Sequence, residues 1–167
     1  MMFFKRKKRM FIIGLDGVPF SFLKNQIEKR NLPFLSFLFD NGNFKRMESI
    51  YPTLSSVAWT SFLTGKKPGS HSIFGFIDIK NDLSLYIPNY KDIGTKTLIE
   101  IFAENKKNLL HINLPITYPP PQIKNTFCIS GFIAPKIEKA VFPEELKEIL
   151  LKEEYIIDLD PWMAREE

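Results

Sequence analysis

From Gly94 onward, helical and strand-like segments take turns along the chain. Residues 95–105 carry helical spacing, and the apolar stretch within 108–114 (Leu109-Leu110-His111-Ile112-Asn113-Leu114) reads as a strand. Pro119-Pro120-Pro121 then breaks the chain, 127–132 reads as a second strand and 143–152 as a helix. Strands separated by helices or long connections pair parallel more readily than as hairpins. The order therefore predicts an α/β fold with a largely parallel sheet flanked by helices. Tyr155-Ile156-Ile157-Asp158-Leu159 reads as one more strand. With 167 residues, 44% of them hydrophobic and 25% charged, the chain has enough ordinary globular composition for one core.

The N-terminal half supplies punctuation rather than alternation. Residues 10–15 form a short apolar run that ends in Asp16-Gly17, as a buried parallel strand does when it delivers its last residue to a loop. Phe20, Phe22, Leu23 and Ile27 have helical spacing, Leu32-Pro33 breaks it, and a second short helix runs through Phe34, Leu35 and Leu38 to a stop at Asn41-Gly42-Asn43. A strand is expected near 44–50. Ser55-Ser56 then reads as the cap of a helix through Val57, Trp59, Phe62 and Leu63 that ends at Gly65. Lys67-Pro68-Gly69-Ser70 reads as a turn, and the alternations at 73–79 and 84–88 as paired strands.

The net charge of +4 suggests an anionic partner until its source is located. Lys5, Arg6, Lys7, Lys8 and Arg9 carry five positive charges, and without them the balance is −1. Residues 1–9 therefore read as a solvated basic extension and 10–167 as the folded part. No nucleic acid is expected as a partner: the abundant aromatics follow helix and strand spacing and have few basic neighbours. The apolar run after residue 9 is too short for a signal peptide, and no stretch is long enough to span a membrane. The lone Cys128, inside Phe127-Cys128-Ile129, has no internal disulfide partner, which fits a reducing, cytoplasmic setting. The glycines form no phosphate loop of Walker or dinucleotide type.

Two segments carry chemistry in combination. Asp16 is a carboxylate at a strand end, and alone it would read as a turn residue accepting backbone N–H bonds. Ser55 is a hydroxyl in the first turn of a helix, and alone it would read as an ordinary cap. Together they form the start of a phosphoryl site. The helix N-terminus stabilises anionic oxygen, and a divalent ion held by a hard carboxylate oxygen would lower the pKa of the hydroxyl.

Gly14-Leu15-Asp16-Gly17, Tyr51-Pro52-Thr53-Leu54-Ser55, and Thr64-Gly65 followed by Pro68 and His71 together resemble the type I phosphodiesterase/nucleotide pyrophosphatase group of the alkaline phosphatase superfamily. Ile112-Asn113-Leu114-Pro115 through Pro120 and Ile129-Ser130-Gly131-Phe132 extend the resemblance along nearly the whole chain from Met10. The resemblance implies the N-terminal part of an alkaline-phosphatase-like α/β fold in a phosphohydrolase that acts on a phosphate ester with two divalent ions, zinc by analogy. In it Asp16 is a metal ligand, Ser55 both a ligand of that metal and the nucleophile, and Ser56 the donor of a backbone N–H to a phosphate oxygen. Where well-studied members hold a phosphate oxygen with an Asn, this chain has Phe76, which leaves the substrate type open. The modifiable Cys/Ser-x-Pro-x-Arg setting of sulfatases does not occur.

The implied metal cage takes three Asp and three His beside the nucleophile, and this chain has two His in all. His71 lies where family members use it structurally. His111 reads as a core or edge histidine with a satisfied ring. Asp158 and Asp160 share a strand face but lack the Asp-x-x-x-His and Asp-His company of ligands. One ion at most is expected here, held weakly. The chain is thus expected to be a fragment of such an enzyme, one subunit of a split enzyme whose second chain supplies the rest, or a non-catalytic α/β scaffold or binding module.

Overall fold

Two prolines set the first two helices. Pro19, extended at φ −68° and ψ 143°, precedes α1 (Phe20–Glu28), and Pro33 opens α2 (Pro33–Asn41) at a position where its missing N–H costs no helical bond. The structure is a computed structural model that describes residues 9–157, in two units divided between Glu48 and Ser49. Lys5 to Lys8, Asp158 and Asp160 lie outside the described residues.

In the first unit Arg30 takes the left-handed conformation (φ 57°) that closes α1. The Arg30 N–H donates to the Ile27 carbonyl at 3.0 Å, and the Asn31 N–H to that of Gln26 at 3.0 Å. Ile27 and Ser36 are the buried residues of α1 and α2, and the Ser36 hydroxyl donates to the Ile27 carbonyl at 3.0 Å. Phe44 closes the hairpin, with its ring stacked on Phe20 at 5.0 Å and edge-on to Phe39 at 5.1 Å. Two expected strands are not formed: residues 10–15 and 44–50 make no ladder in this unit, and Met10, Phe11, Ile12 and Ile13 are exposed. Apolarity marks a segment for burial, but a strand also needs a neighbour for its N–H and C=O groups.

The second unit holds the remaining elements. They are α3 (Ser55–Thr64), α4 (Pro68–His71), a hairpin of β1 (Asp78–Ile79) and β2 (Leu85–Tyr86), α5 (Leu98–Glu104), β3 (Leu109–Leu114), β4 (Thr126–Ser130), β5 (Val141–Phe142) and α6 (Glu145–Lys152). The expected turn at 67–70 tightens into the one-turn α4. Helix α5 starts at a capping box, in which the Thr97 N–H donates to Glu100 Oε2 at 2.6 Å and Thr97 Oγ1 accepts from the Glu100 N–H at 3.4 Å. Leu63, Ile99 and Ile116 form the core, with Leu109, Leu114 and Tyr90 packed against it.

The sheet corrects one expectation: it is mixed rather than largely parallel. β3 and β4 are parallel, but β5 joins β4 antiparallel, with Cys128 opposite Phe142. The connection 131–140 is shorter than the dozen or so residues a parallel crossover takes, so the chain can only turn back. At the other edge, Asn113 (φ 53°) bulges out of β3 and shifts the register between Ile112 and Leu114. Its side chain takes up the chain after α6: Nδ2 donates to the Ile157 carbonyl at 3.0 Å, and Oδ1 accepts from the Tyr155 hydroxyl at 2.8 Å. Residues 155–157 are thereby tied to the sheet by a side chain and are not a strand; the rest of the expected strand, 158–159, lies outside the described residues.

Candidate active site

Ser55 is the first residue of α3 and not its cap. Leu54 is the cap, extended at φ −112° and ψ 142°; its N–H donates to the Pro52 carbonyl at 2.9 Å and its carbonyl accepts from the Ala58 N–H at 2.9 Å. By helix geometry the N–H groups of Ser55, Ser56 and Val57 are the first-turn donors without an intrahelical acceptor, and no side chain among the described residues caps them. Ser55 is half-buried, which leaves it approachable, whereas Ser56 is buried and its hydroxyl has no hydrogen-bond partner among the described residues.

The rest of α3 fixes this first turn. Val57, Thr60, Leu63 and Thr64 are buried, Thr60 Oγ1 donates to the Ser56 carbonyl at 2.6 Å, and Thr64 Oγ1 donates to the Thr60 carbonyl at 2.7 Å. Gly65 stops the helix in the left-handed conformation (φ 63°), which costs glycine nothing, and donates its N–H to the Ser61 carbonyl at 2.8 Å.

His71 braces the same helix from α4. Its Nδ1 accepts the Ile73 N–H at 3.2 Å, so the ring proton of the neutral imidazole belongs on Nε2, which donates to Ser61 Oγ at 2.9 Å. Burial lowers the pKa of His71, in keeping with the neutral ring. With its acceptor nitrogen occupied, the ring cannot take a proton from Ser61, and the two are a structural contact rather than a nucleophile and base. No sequence signal pointed to Ser61 as the partner.

Asp16 belongs to the first unit, exposed in a turn with Gly17 at φ 69°. Its carboxylate is a hard oxygen donor, which suits a divalent ion by type. Among the described residues no group of three or more His, Cys, Asp or Glu is gathered to hold a metal ion.

His111 departs from expectation. It is buried in β3 opposite Cys128, yet neither ring nitrogen has a hydrogen-bond partner among the described residues, and burial pushes its pKa down to about 4. An apolar strand predicts a buried ring, but whether that ring finds a partner depends on which residues the register places beside it. The Sγ of Cys128, beside it, lies 3.6 Å from Ser130 Oγ, and burial pushes its thiol up to about 12, favouring the protonated form.

Phe76 packs edge-to-face against Phe132 with ring centroids 5.5 Å apart and planes at 82°. Nothing in the sequence linked two residues so far apart.

Neither a curated protein nor a solved structure matches the chain. The family model for type I phosphodiesterase / nucleotide pyrophosphatase matches residues 10–128, a span that contains Asp16, Ser55, Ser56, His71 and Phe76. The chain belongs to the type I phosphodiesterase/nucleotide pyrophosphatase family.

Proposed function

We propose that the chain is the nucleophile-bearing part of a metal-dependent phosphohydrolase in which the Ser55 hydroxyl attacks a phosphoryl centre. What carries the reading is the position of Ser55, half-buried at the first residue of a helix whose first-turn N–H groups have no side-chain cap among the described residues, inside a span that matches the family. Ser55 Oγ forms the new bond to phosphorus, the leaving oxygen departs in line, and the Ser55 proton passes to solvent. The N–H groups of Ser56 and its neighbours hold the phosphoryl oxygens. Water then hydrolyses the phosphoserine and restores the hydroxyl. By family analogy Asp16 would be a ligand of a divalent ion, zinc, which would add Lewis-acid stabilisation of the charge developing on oxygen. The other ligands come from residues outside this sequence, in a longer polypeptide or a second chain.

The test is hydrolysis of bis(p-nitrophenyl) phosphate with zinc or manganese, by the chain alone and by the chain co-expressed with the product of the adjacent downstream reading frame. Turnover is expected in the mixture only, and Ser55→Ala lowers it by at least about a thousandfold. Full activity of Ser55→Ala would sink the nucleophile assignment, and turnover by the chain alone would overturn the shared ligand set. The incomplete ligand set among the described residues favours a second reading, a non-catalytic α/β binding module. An inactive mixture in which the chain still binds a phosphate ester would select it.

A further inference from the structure

We propose that the outward face of the β1–β2 hairpin is an interface between two copies of this chain. The proposal does not depend on the phosphoryl reading of Ser55. In the hairpin Ile79 stands opposite Leu85 and Asp78 opposite Tyr86, so Ile79 and Leu85 share one face and Asp78 and Tyr86 the other. Exposure alternates with the same period. Ile77, Ile79, Leu85 and Ile87 are open to solvent, from 59% at Ile79 to 68% at Leu85, whereas Asp78 and Tyr86 are half-buried. The usual order of a half-solvated antiparallel pair, apolar inside and polar outside, is inverted here. A contiguous aliphatic face of this kind marks a site of association.

The face is preformed, because the turn that joins its strands is tied together. The Lys80 N–H donates to the Ser84 carbonyl at 2.9 Å and the Leu83 N–H to the Lys80 carbonyl at 2.9 Å. Asp82 Oδ1 accepts both the Ser84 N–H at 3.0 Å and the Ser84 hydroxyl at 2.6 Å. Lys80 Nζ lies 5.7 Å from the centre of the Tyr86 ring, which draws its charge to the side away from Ile79 and Leu85.

Charge and shape together choose a second copy as the occupant. The centre of the face is uncharged, and Lys80 and Asp82 at the tip are of opposite sign. The face therefore lacks both the basic rim that holds a protein on an anionic membrane and the single sign that selects an oppositely charged protein. A level ladder of aliphatic side chains is complementary to another such ladder, as when one sheet packs on another, and a two-fold interface requires that self-complementarity. Area sets the strength. Four aliphatic side chains open to this degree offer about 500 Å², and two copies together about 1,000 Å², near the lower bound for a specific complex and in the range of weak, reversible ones. The dissociation constant is expected to be on the order of 10–100 µM.

Sedimentation equilibrium of the full-length chain, run across that range of concentrations, is expected to show the weight-average mass rising from the monomer value toward twice it. In a mixture of 13C-labelled and unlabelled chain, isotope-filtered NMR should find intermolecular contacts at the Ile79 and Leu85 methyl groups. I79K and L85K, at exposed positions, should each weaken association at least about tenfold by setting like charges face to face. I112K, at an exposed residue of β3 outside the hairpin, should leave it unchanged. The amide spectrum of each variant reports its folding, and the methyl contacts of the unaltered chain decide the matter without any variant. A chain that stays monomeric throughout, a dimer without those methyl contacts, or association that survives both folded hairpin variants overturns the proposal. So does a monomeric chain whose hairpin methyl groups respond instead to phosphatidylglycerol vesicles or to the product of the adjacent downstream reading frame, since the face would then belong to that partner.

Discussion

Asp16 and Ser55 occupy similar places in the sequence, each a polar residue where a turn meets an apolar segment, and the fold treats them differently. Ser55 heads a ten-residue helix whose Val57, Thr60 and Leu63 are buried, and a brace from His71 secures Ser61 one turn and a half further on. Asp16 follows a segment whose Ile13 is 83% exposed, and its turn depends on Gly17. A nucleophile has to be held in one orientation, and a buried helix face does that. A carboxylate ligand acquires its geometry from the ion and from the other ligands around it.

The contrast can be broken first at the apolar positions. Leu63→Ala is expected to destabilise the second unit by about 3 kcal/mol, because Leu63 is 2% exposed and touches the core formed with Ile99 and Ile116. Ile13→Ala in the exposed segment is expected to cost less than about 0.5 kcal/mol. Urea denaturation followed by circular dichroism measures both, and equal losses would mean that residues 10–15 are as firmly packed as α3.

Acid sharpens the contrast. His111 folds with its pKa near 4 against an ordinary 6.5, so the unfolded chain binds the proton more readily than the folded one. The stabilisation is complete above about pH 6.5 and is lost as pH falls toward 4. From His111 alone the second unit should be about 2 kcal/mol less stable at pH 5 than at pH 8. Both histidines lie in that unit, so amide exchange by NMR should record the loss there and spare α1 and α2. His111→Phe should flatten the pH dependence, and an unchanged slope would assign it elsewhere.

The smallest effect is expected at Asp16 itself. Asp16→Asn should change thermal stability by less than about 0.5 kcal/mol, since the side chain is exposed. A loss above about 1 kcal/mol would make Asp16 an anchor of its turn and weaken its assignment as a ligand.

Helices were legible in the sequence wherever a local device marked their ends. Pro33 opened α2 and Gly65 stopped α3, each acting within a few residues, whereas the Thr97–Glu100 capping box that starts α5 emerged only in the structure. Ser55 was legible as a residue of a helix start for the same reason, although its place one step inside the helix, and not at its cap, needed the backbone of Leu54. Strands were read less well. Residues 10–15 have the apolarity of a buried strand and no ladder partner in their unit, while Val141–Phe142, too short to announce itself, joins the sheet through Cys128 and Ile129.

Sequence alone thus determined the family and the α/β character of the second unit, because motifs and caps are local chemical patterns. Tertiary structure alone decided the mixed sheet, the burial of the His111 ring without a hydrogen-bond partner among the described residues, the Ser61–His71 brace and the meeting of Phe76 with Phe132. Each of these depends on which distant segment arrives beside a residue, and strand register and packing set that.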